Sequence, residues 1–386
     1  MAVAAPARKK QARPGQRPEK LHALTSLRFF AGLFVVAYHT LMIDRFPDIV
    51  PPDSFLGHFF FLGCVSVSFF FLLSGYILSM VYLVAGRAIR TGAFYRARFA
   101  RIYPLYFLTL IVDTPNLLLP RIARYGLASA LGKTAVTFLG NAVMIQAWIV
   151  AVRGINNPNW SLSVEAFFYL IFPLAGVALS RLRGVGFWLT AAVIYVGGQA
   201  AVLIAVPHIA VSTSEILVPL HVSTFLLGIL LASWQIRSRR AVRRTSHGAV
   251  SLVAALATAA FLAVVVFYSS IPNETIHDGI LAPIFVCYIW AFSHSDWLPA
   301  RLLSARWLVV LGEASFGLYL IHMPVLHVFE HAGWSRMPAM YPVYLGTCVA
   351  LSVFSFYYFE TPMRKWILKR GDRHVKETME MASDAQ

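Results

Sequence analysis

The sequence predicts an all-α membrane protein, a polytopic bundle of about ten transmembrane helices with one re-entrant or broken segment. Of the 386 residues, 58% are hydrophobic and only 13% are charged, and the mean hydropathy is +0.66. Soluble domains carry about a quarter charged residues. Several apolar runs are long enough to cross a bilayer, and residues 54–86 contain no Asp, Glu, Lys or Arg.

The apolar runs define the predicted spans in order. A span needs about 20 mostly apolar residues to cover about 30 Å of hydrocarbon. The spans are predicted at residues 29–43, 57–84, 135–150, 160–179, 185–206, 217–234, 249–271, 279–293, 307–330 and 341–359. The predicted domains are a basic cytoplasmic tail at 1–23, a transmembrane domain at 24–364 and a cytoplasmic tail at 365–386.

The positive charge indicates the orientation of the chain. A net charge of +16 could indicate nucleic-acid binding, but the Lys and Arg residues lie in short clusters between apolar runs, as in cytoplasmic loops. With the N-terminus inside, 30 of the 33 Lys and Arg residues fall on the cytoplasmic side, leaving Arg45, Arg153 and Arg336 outside. We therefore predict a multi-pass cell-membrane protein with both termini in the cytoplasm and no nucleic-acid partner.

Residues 102–120 are apolar, yet a simple crossing is not expected there. Arginines flank the segment on both sides, so one crossing would invert every later loop. Pro104, Pro115 and Pro120 also disfavour a straight helix. Irregular backbone is tolerated at membrane depth where it lines a cavity, and we predict a re-entrant or broken segment of that kind.

The first predicted span carries two polar side chains. Arg28 opens it and His39 lies eleven positions later. At about 100° per residue, this spacing places both side chains on one face, about 16 Å apart along the helix axis. Charge inside a span is costly and indicates a functional site. A snorkelling arginine and a hydrogen-bonded interior histidine explain the pair equally well.

Three later segments carry further candidates. Arg98 and Arg101 are neighbours on a helix surface and suit a phosphorylated ligand, although ordinary loop charge explains them too. In WSLSVE, Glu165 falls inside a span, where it could orient a histidine or make only a packing hydrogen bond. Ser315, Tyr319 and His322 lie on one helical stripe, where interhelical hydrogen bonding competes with acceptor binding or support. Trp160 is predicted at the outer membrane interface, and Trp160, Ser161 and Ser163 are further candidates for acceptor binding or support.

No metal site or tightly bound cofactor is predicted. The three cysteines are scattered through apolar segments with neither disulfide nor zinc spacing. No HExxH, GxSxG, Walker or GxGxxG pattern occurs. The histidines that receive no role include the isolated His221, His294 and His327.

These segments together resemble the acyltransferase family 3 of integral membrane enzymes, from about Leu24 to Arg364. The motifs occur in the family's order. They are the Arg28–His39 pair, FFFLLSGYILS (Phe69–Ser79), RxxR (Arg98, Arg101), WSLSVE (Trp160–Glu165) and LYLIH (Leu318–His322). The combination of WSLSVE with the first-span pair is specific, whereas RxxR alone is weak. Two departures are Ala166, where the family usually has an aromatic residue, and Phe316, where tyrosine is common.

The resemblance implies a bacterial inner-membrane enzyme that takes an acyl group, usually acetyl, from cytoplasmic acyl-CoA. It implies delivery to a hydroxyl of an extracytoplasmic or lipid-linked carbohydrate of the cell envelope. Arg28, Arg98 and Arg101 would then bind acyl-CoA, and His39 with Glu165 would be catalytic, with His39 as base or acyl carrier. The alternatives are a transporter or flippase for a lipid-linked glycan, which would release no CoA, and a nonenzymatic scaffold, which would tolerate loss of His39.

Overall fold

The computed structural model describes residues 21–43, 46, 48–83, 88–209, 217–238, 244–271, 276 and 279–371, and these contain helices but no strand. Residues 1–20 of the predicted N-terminal tail, the basic loop at 239–243 and most of the predicted C-terminal tail lie outside the described residues. The helices are α1 His22–Ala37, α2 Phe55–Phe61, α3 Ser66–Tyr82, α4 Thr91–Tyr125, α5 Leu127–Ala142, α6 Trp160–Arg181, α7 Gly184–Ala205, α8 Val218–Arg237, α9 His247–Val266, α10 Ala282–Phe292, α11 Leu298–Leu303, α12 Arg306–His331 and α13 Tyr341–Ser355.

The all-α membrane architecture is confirmed. Within the described residues, nine helical stretches are long and apolar enough to cross a membrane, and α10 is a shorter apolar helix. The nine are His22–Met42, Phe55–Tyr82, Thr91–Tyr125, Asn157–Arg181, Gly184–His208, Val218–Arg237, His247–Val266, Arg306–His331 and Pro338–Gly371.

The re-entrant or broken path predicted for residues 102–120 is wrong. These residues belong to α4, a continuous helix of 35 residues that contains Pro104, Pro115 and Pro120. At about 1.5 Å per residue, α4 is about 52 Å long. Each proline removes one backbone hydrogen bond, whereas breaking the helix in hydrocarbon would leave several groups unsatisfied. The helix therefore continues through the prolines.

The segment that enters only part-way is α5 with the chain that follows it. α5 runs antiparallel to α4, since Arg121 donates to the Thr137 hydroxyl at 3.1 Å and the Tyr106 hydroxyl donates to Asn141 O at 2.6 Å. The chain then returns, and Asn156 N donates to Asp113 Oδ2 at 2.7 Å. The predicted crossing at 135–150 is therefore wrong, because the chain runs back along α4 as far as Tyr106 at Asn141 and then reverses toward Asp113 at Asn156.

This path changes the predicted distribution of charge. Arg121, Arg124 and Lys133 lie at the far end of α4 from Arg98, and Arg124 and Lys133 both lie over the Tyr125 ring. From the sequence, 30 Lys and Arg residues were assigned to the cytoplasmic side, and these three do not belong to that set. The sides predicted for the later loops do not change. The number of crossings before them stays the same, because α4 takes the place of the crossing predicted at 135–150.

Helices α1, α4 and α12 run parallel and form the wall of the candidate site. Arg101 lies 4.0 Å from Glu313 near the start of α12, and Asp113 lies 2.7 Å from His327 near its end. Helices α1 and α12 touch at Gly312, where a Cβ would overlap the Thr25 backbone carbonyl. Small residues permit such close approach in membrane bundles. We call the two ends of this wall the arginine end (Arg28, Arg98, Arg101) and the histidine end (His39, His322, His327).

Candidate active site

A cavity of about 140 Å³ lies between α1, α3, α4, α6 and α12. It brings together seven of the candidates predicted from the sequence, although they are far apart in the chain. These seven are Arg28, Arg98, Arg101, Ser161, Glu165, Ser315 and Tyr319. The remaining lining is mostly apolar and comes largely from α3, including Phe70, Phe71 and Leu73. A polar cavity inside an otherwise apolar bundle is the arrangement expected of a functional site.

Arg98 and Arg101 have different surroundings. The guanidinium of Arg98 lies about 6 Å from the ring centroids of Tyr82, Phe94 and Tyr169, in cation–π geometry. Arg101 pairs with Glu313 at 4.0 Å, and its side chain keeps 15% of its surface exposed. The aromatic rings hold the Arg98 guanidinium plane in place without neutralising its charge. It therefore remains available to an anionic ligand.

Two residues at this end were missed as site candidates. Arg364 lies within electrostatic range of Arg98 and Arg101. Glu360 is 94% buried, and Arg101 and Arg28 lie within electrostatic range of its carboxylate. The sequence did contain a signal for this pair: Glu360 and Arg364 are four residues apart at the end of an apolar run, and residues with that spacing share a helix face.

Glu165 is held by hydroxyl groups. The Tyr169 hydroxyl donates to Glu165 Oε1 at 2.6 Å, and the Ser74 hydroxyl donates to the same atom at 3.3 Å. Because Tyr169 also faces Arg98, the carboxylate belongs to the network at the arginine end. The sequence interpretation, in which Glu165 orients His39, remains a prediction.

His39 lies one helical turn beyond the cavity, beside His322. The two rings are stacked with centroids 5.2 Å apart, and His39 Nδ1 is 3.2 Å from His322 Nε2. His322 is fully buried, and its Nδ1 lies 2.7 Å from the carbonyl oxygen of Tyr319, a cavity residue. The histidine pair is therefore joined to the cavity through Tyr319.

The backbone around His39 departs from a regular α-helix. Residues Tyr38–Met42 form a π-helical turn at the end of α1, a feature that is frequent at functional sites. The Thr40 hydroxyl donates to Val36 O at 2.7 Å and stabilises the turn. Helical spacing predicted the shared face with Arg28, but the irregular turn could not be read from the sequence.

The remaining candidates make contacts between elements at or near the cavity, and their role in acceptor binding or support stays a prediction. The hydroxyls of Ser161 and Tyr319 are 2.7 Å apart and join α6 to α12 at the cavity wall. Ser163 donates to Met144 O and so fixes the returning chain to α6. The Trp160 ring packs against Phe71 and His221 outside the cavity lining.

A polar cluster at the histidine end centres on Asp113 and was also missed. Its carboxylate accepts hydrogen bonds from His327 Nδ1 at 2.7 Å, Asn116 Nδ2 at 2.8 Å and Asn156 N at 2.7 Å. Asp113 is 98% buried, so these donors satisfy a charge that would otherwise be costly. Asp113 and His327 were each considered alone in the sequence, and only the packing of α4 on α12 pairs them.

Comparisons with known proteins show the family of the chain. The profile of a family described as "Acyltransferase domain" matches residues 21–357. The chain is similar to the acyltransferase MdmB of Streptomyces mycarofaciens, at 32% identity over 80% of each chain. It is similar to the peptidoglycan O-acetyltransferase OatA of Listeria monocytogenes, at 23% identity over 78% of this chain and 51% of that protein.

A further similarity is to O-acetyltransferase OatA of Staphylococcus aureus, at 24% identity over 90% of this chain and 58% of that protein. The chain therefore spans little more than half the length of the two O-acetyltransferases. No solved structure matches.

Proposed function

This chain belongs to the acyltransferase-domain family of membrane enzymes, and from that premise we propose that it transfers an acyl group, most simply acetyl, from acyl-CoA to a carbohydrate hydroxyl. The acceptor would be an extracytoplasmic or lipid-linked glycan. The observation that carries the proposal is the cavity, which has arginines at one end and a histidine pair one helical turn beyond the other. The name of the peptidoglycan O-acetyltransferase relative supports a carbohydrate acceptor.

The arginine end suits a CoA donor. Acyl-CoA carries several phosphates, and arginine binds phosphate oxygens with paired hydrogen bonds. Arg28, Arg98 and Arg101 line the cavity, and Arg364 lies near two of them. CoA thioesters are cytosolic, so we propose that the arginine end and both termini face the cytoplasm. The acceptor would then approach from the histidine end.

The hydrogen bonds of the histidine pair support His39 as the base. A carbonyl oxygen only accepts, so His322 Nδ1 carries a proton and donates it to Tyr319 O. Neutral His322 therefore has its lone pair on Nε2, and His39 Nδ1–H donates to that atom. The neutral His39 ring then has its own lone pair on Nε2. We propose this nitrogen as the general base.

In the proposed reaction, His39 Nε2 takes the proton of the acceptor hydroxyl as its oxygen attacks the thioester carbonyl. The C–S bond breaks, the CoA thiolate takes the proton from the imidazolium, and the products are an ester and CoA–SH. Attack by the same Nε2 on the thioester, with a transient acyl-imidazole, uses the same lone pair. In both routes His322 accepts the Nδ1 hydrogen bond that stabilises the cationic ring.

The test is transfer of a radiolabelled acetyl group from acetyl-CoA by the purified protein in lipid discs, read as CoA release and ester formation. We expect His39→Ala to abolish both, and the matched variant His58→Ala, whose ring bonds Ser269 elsewhere, to retain both. Acceptor movement across the membrane without CoA release would support the transporter and overturn the enzyme. Wild-type rates in His39→Ala would overturn the proposed base.

A further inference from the structure

A groove of about 190 Å³ lies between α4 and α6, beside the cavity. It shares Arg98, Leu162 and Tyr169 with the cavity wall. The rest of its lining is hydrophobic and consists of Tyr95, Phe99, Ile102, Tyr103, Met144, Ala166 and Leu170. The groove and the cavity are therefore neighbouring spaces with a common wall.

The groove runs from the bundle surface toward the cavity. At its outer rim, Phe99 is 51% exposed and Leu170 is 62% exposed, on helices that are apolar enough to meet lipid. At its inner wall, Ile102 and Leu162 are buried. Ala166 has the smallest side chain in the lining, so the space exists beside α6 where a larger residue would fill it.

We propose that this groove binds the acyl chain of the donor, so that the enzyme accepts acyl groups longer than acetyl. The inference rests on the proposed function. A donor bound in the cavity would hold its acyl chain against the wall that the cavity shares with the groove, at Leu162. Burial of an apolar chain is favourable only along apolar surface, and the shared wall at Leu162 leads to such a surface.

The size of the groove fits a short chain. A cavity of about 150 Å³ lined by apolar side chains holds a benzene molecule, which has six carbons. The groove is somewhat larger. A chain of about four to six carbons would therefore fill much of it.

The experiment compares kcat/KM for hexanoyl-CoA with kcat/KM for acetyl-CoA, in lipid discs, with the same acceptor. We expect wild-type protein to use both donors and Ala166→Phe to lower the hexanoyl-to-acetyl ratio at least about tenfold, since methylene-sized changes in a pocket discriminate by about that factor. Ala178→Phe places the same bulk on the exposed face of α6, outside the groove lining. This control should keep the wild-type ratio.

The outcomes separate the two proposals. If wild-type protein transfers acetyl but not hexanoyl, or if Ala166→Phe keeps the wild-type ratio, the acyl-chain groove is overturned. If no acyl-CoA is used by wild-type protein, the proposed function itself fails. Should Ala166→Phe not reach the membrane, Ala166→Leu carries the same expectation with less added volume, and its unchanged ratio would equally refute the groove.

Discussion

Replacing His322 by phenylalanine removes one hydrogen-bond acceptor from beside His39 while keeping a ring in the same buried place. In the wild-type protein, His322 Nε2 lies 3.2 Å from His39 Nδ1 and the two rings are stacked. Phenylalanine keeps the stacking surface and loses the acceptor, so His39 is no longer held with its lone pair on Nε2. We expect kcat to fall while KM for acetyl-CoA stays near its wild-type value, because the arginine end is unchanged.

The size of the effect follows from this one interaction. Leaving a buried donor without an acceptor costs about 1–3 kcal/mol, which corresponds to a loss of about 5- to 150-fold in rate. The upper limit on the loss in rate is the whole contribution of a general base, which is about 10²–10⁴-fold. His322→Phe should therefore be slower than wild type by about 10–100-fold and faster than His39→Ala.

The assay is CoA release by matched amounts of membrane-inserted protein, with the double variant His39→Ala/His322→Phe as the decisive comparison. If His322 acts only through His39, the double variant is no slower than His39→Ala, because residues that act as a unit are non-additive. Wild-type kcat in His322→Phe would refute the reasoning. A double variant slowed by the product of both single effects would show that His322 acts independently.

Four further predictions concern other parts of the site and the fold. Arg98→Ala should raise KM for acetyl-CoA about tenfold or more in initial-rate measurements. Arg98→Lys should recover only part of the loss, because lysine lacks the bidentate fork. An unchanged KM in both variants would show that Arg98 does not bind the donor. Glu165→Gln keeps an acceptor for the Tyr169 hydroxyl, so its kcat should fall less than that of His39→Ala; equal losses would indicate that the charge is required. Gly312→Leu should lower the amount of folded protein in size-exclusion chromatography, because its side chain would overlap the Thr25 backbone, whereas normal yield would contradict this packing. Asp113→Asn should lower the thermal unfolding midpoint, because asparagine has one side-chain acceptor oxygen for three donors and a buried donor left without a partner costs about 1–3 kcal/mol. An unchanged midpoint would contradict a stabilising role for the Asp113–His327 hydrogen bond.

The orientation of the bundle stays a prediction that labelling can test. Ser238 follows α8 at the arginine end, since Arg237 donates to Ser180 O at the end of α6. Ala332 follows α12 at the histidine end. In intact cells, a membrane-impermeant thiol reagent should reach Ala332→Cys and not Ser238→Cys. The reverse pattern would invert the proposed sides of donor and acceptor.

The fold could be predicted wherever hydrophobic length decides it. The prediction for residues 102–120 was wrong because Pro115 and the flanking arginines are locally unfavourable in a membrane-spanning helix. In the structure these residues form one continuous helix, and it is the next segment, α5, that turns back. That exchange depends on contacts such as Arg121 to Thr137 and Asn156 to Asp113, which join residues 16 and 43 positions apart. No local pattern encodes them.

The site could be predicted residue by residue but not as a set of pairs. Arg28 and Glu165 stood out because charge is rare in spans, and the structure places both at one cavity. The partner of His39 was less evident, because His322 looked like one of several polar groups on a helical stripe. Its role depends on the close packing of α1 on α12, which brings residues 283 positions apart into contact.

The π-helical turn at Tyr38–Met42 has a consequence for insertions and deletions in this chain. A π turn is an α-helix that has accommodated one extra residue, and each residue of a regular helix rotates the chain by about 100°. Deleting Leu41 would thus restore regular winding, and it would remove the irregular turn that carries His39 beside His322. A one-residue deletion that improves the local helix should therefore disable the enzyme.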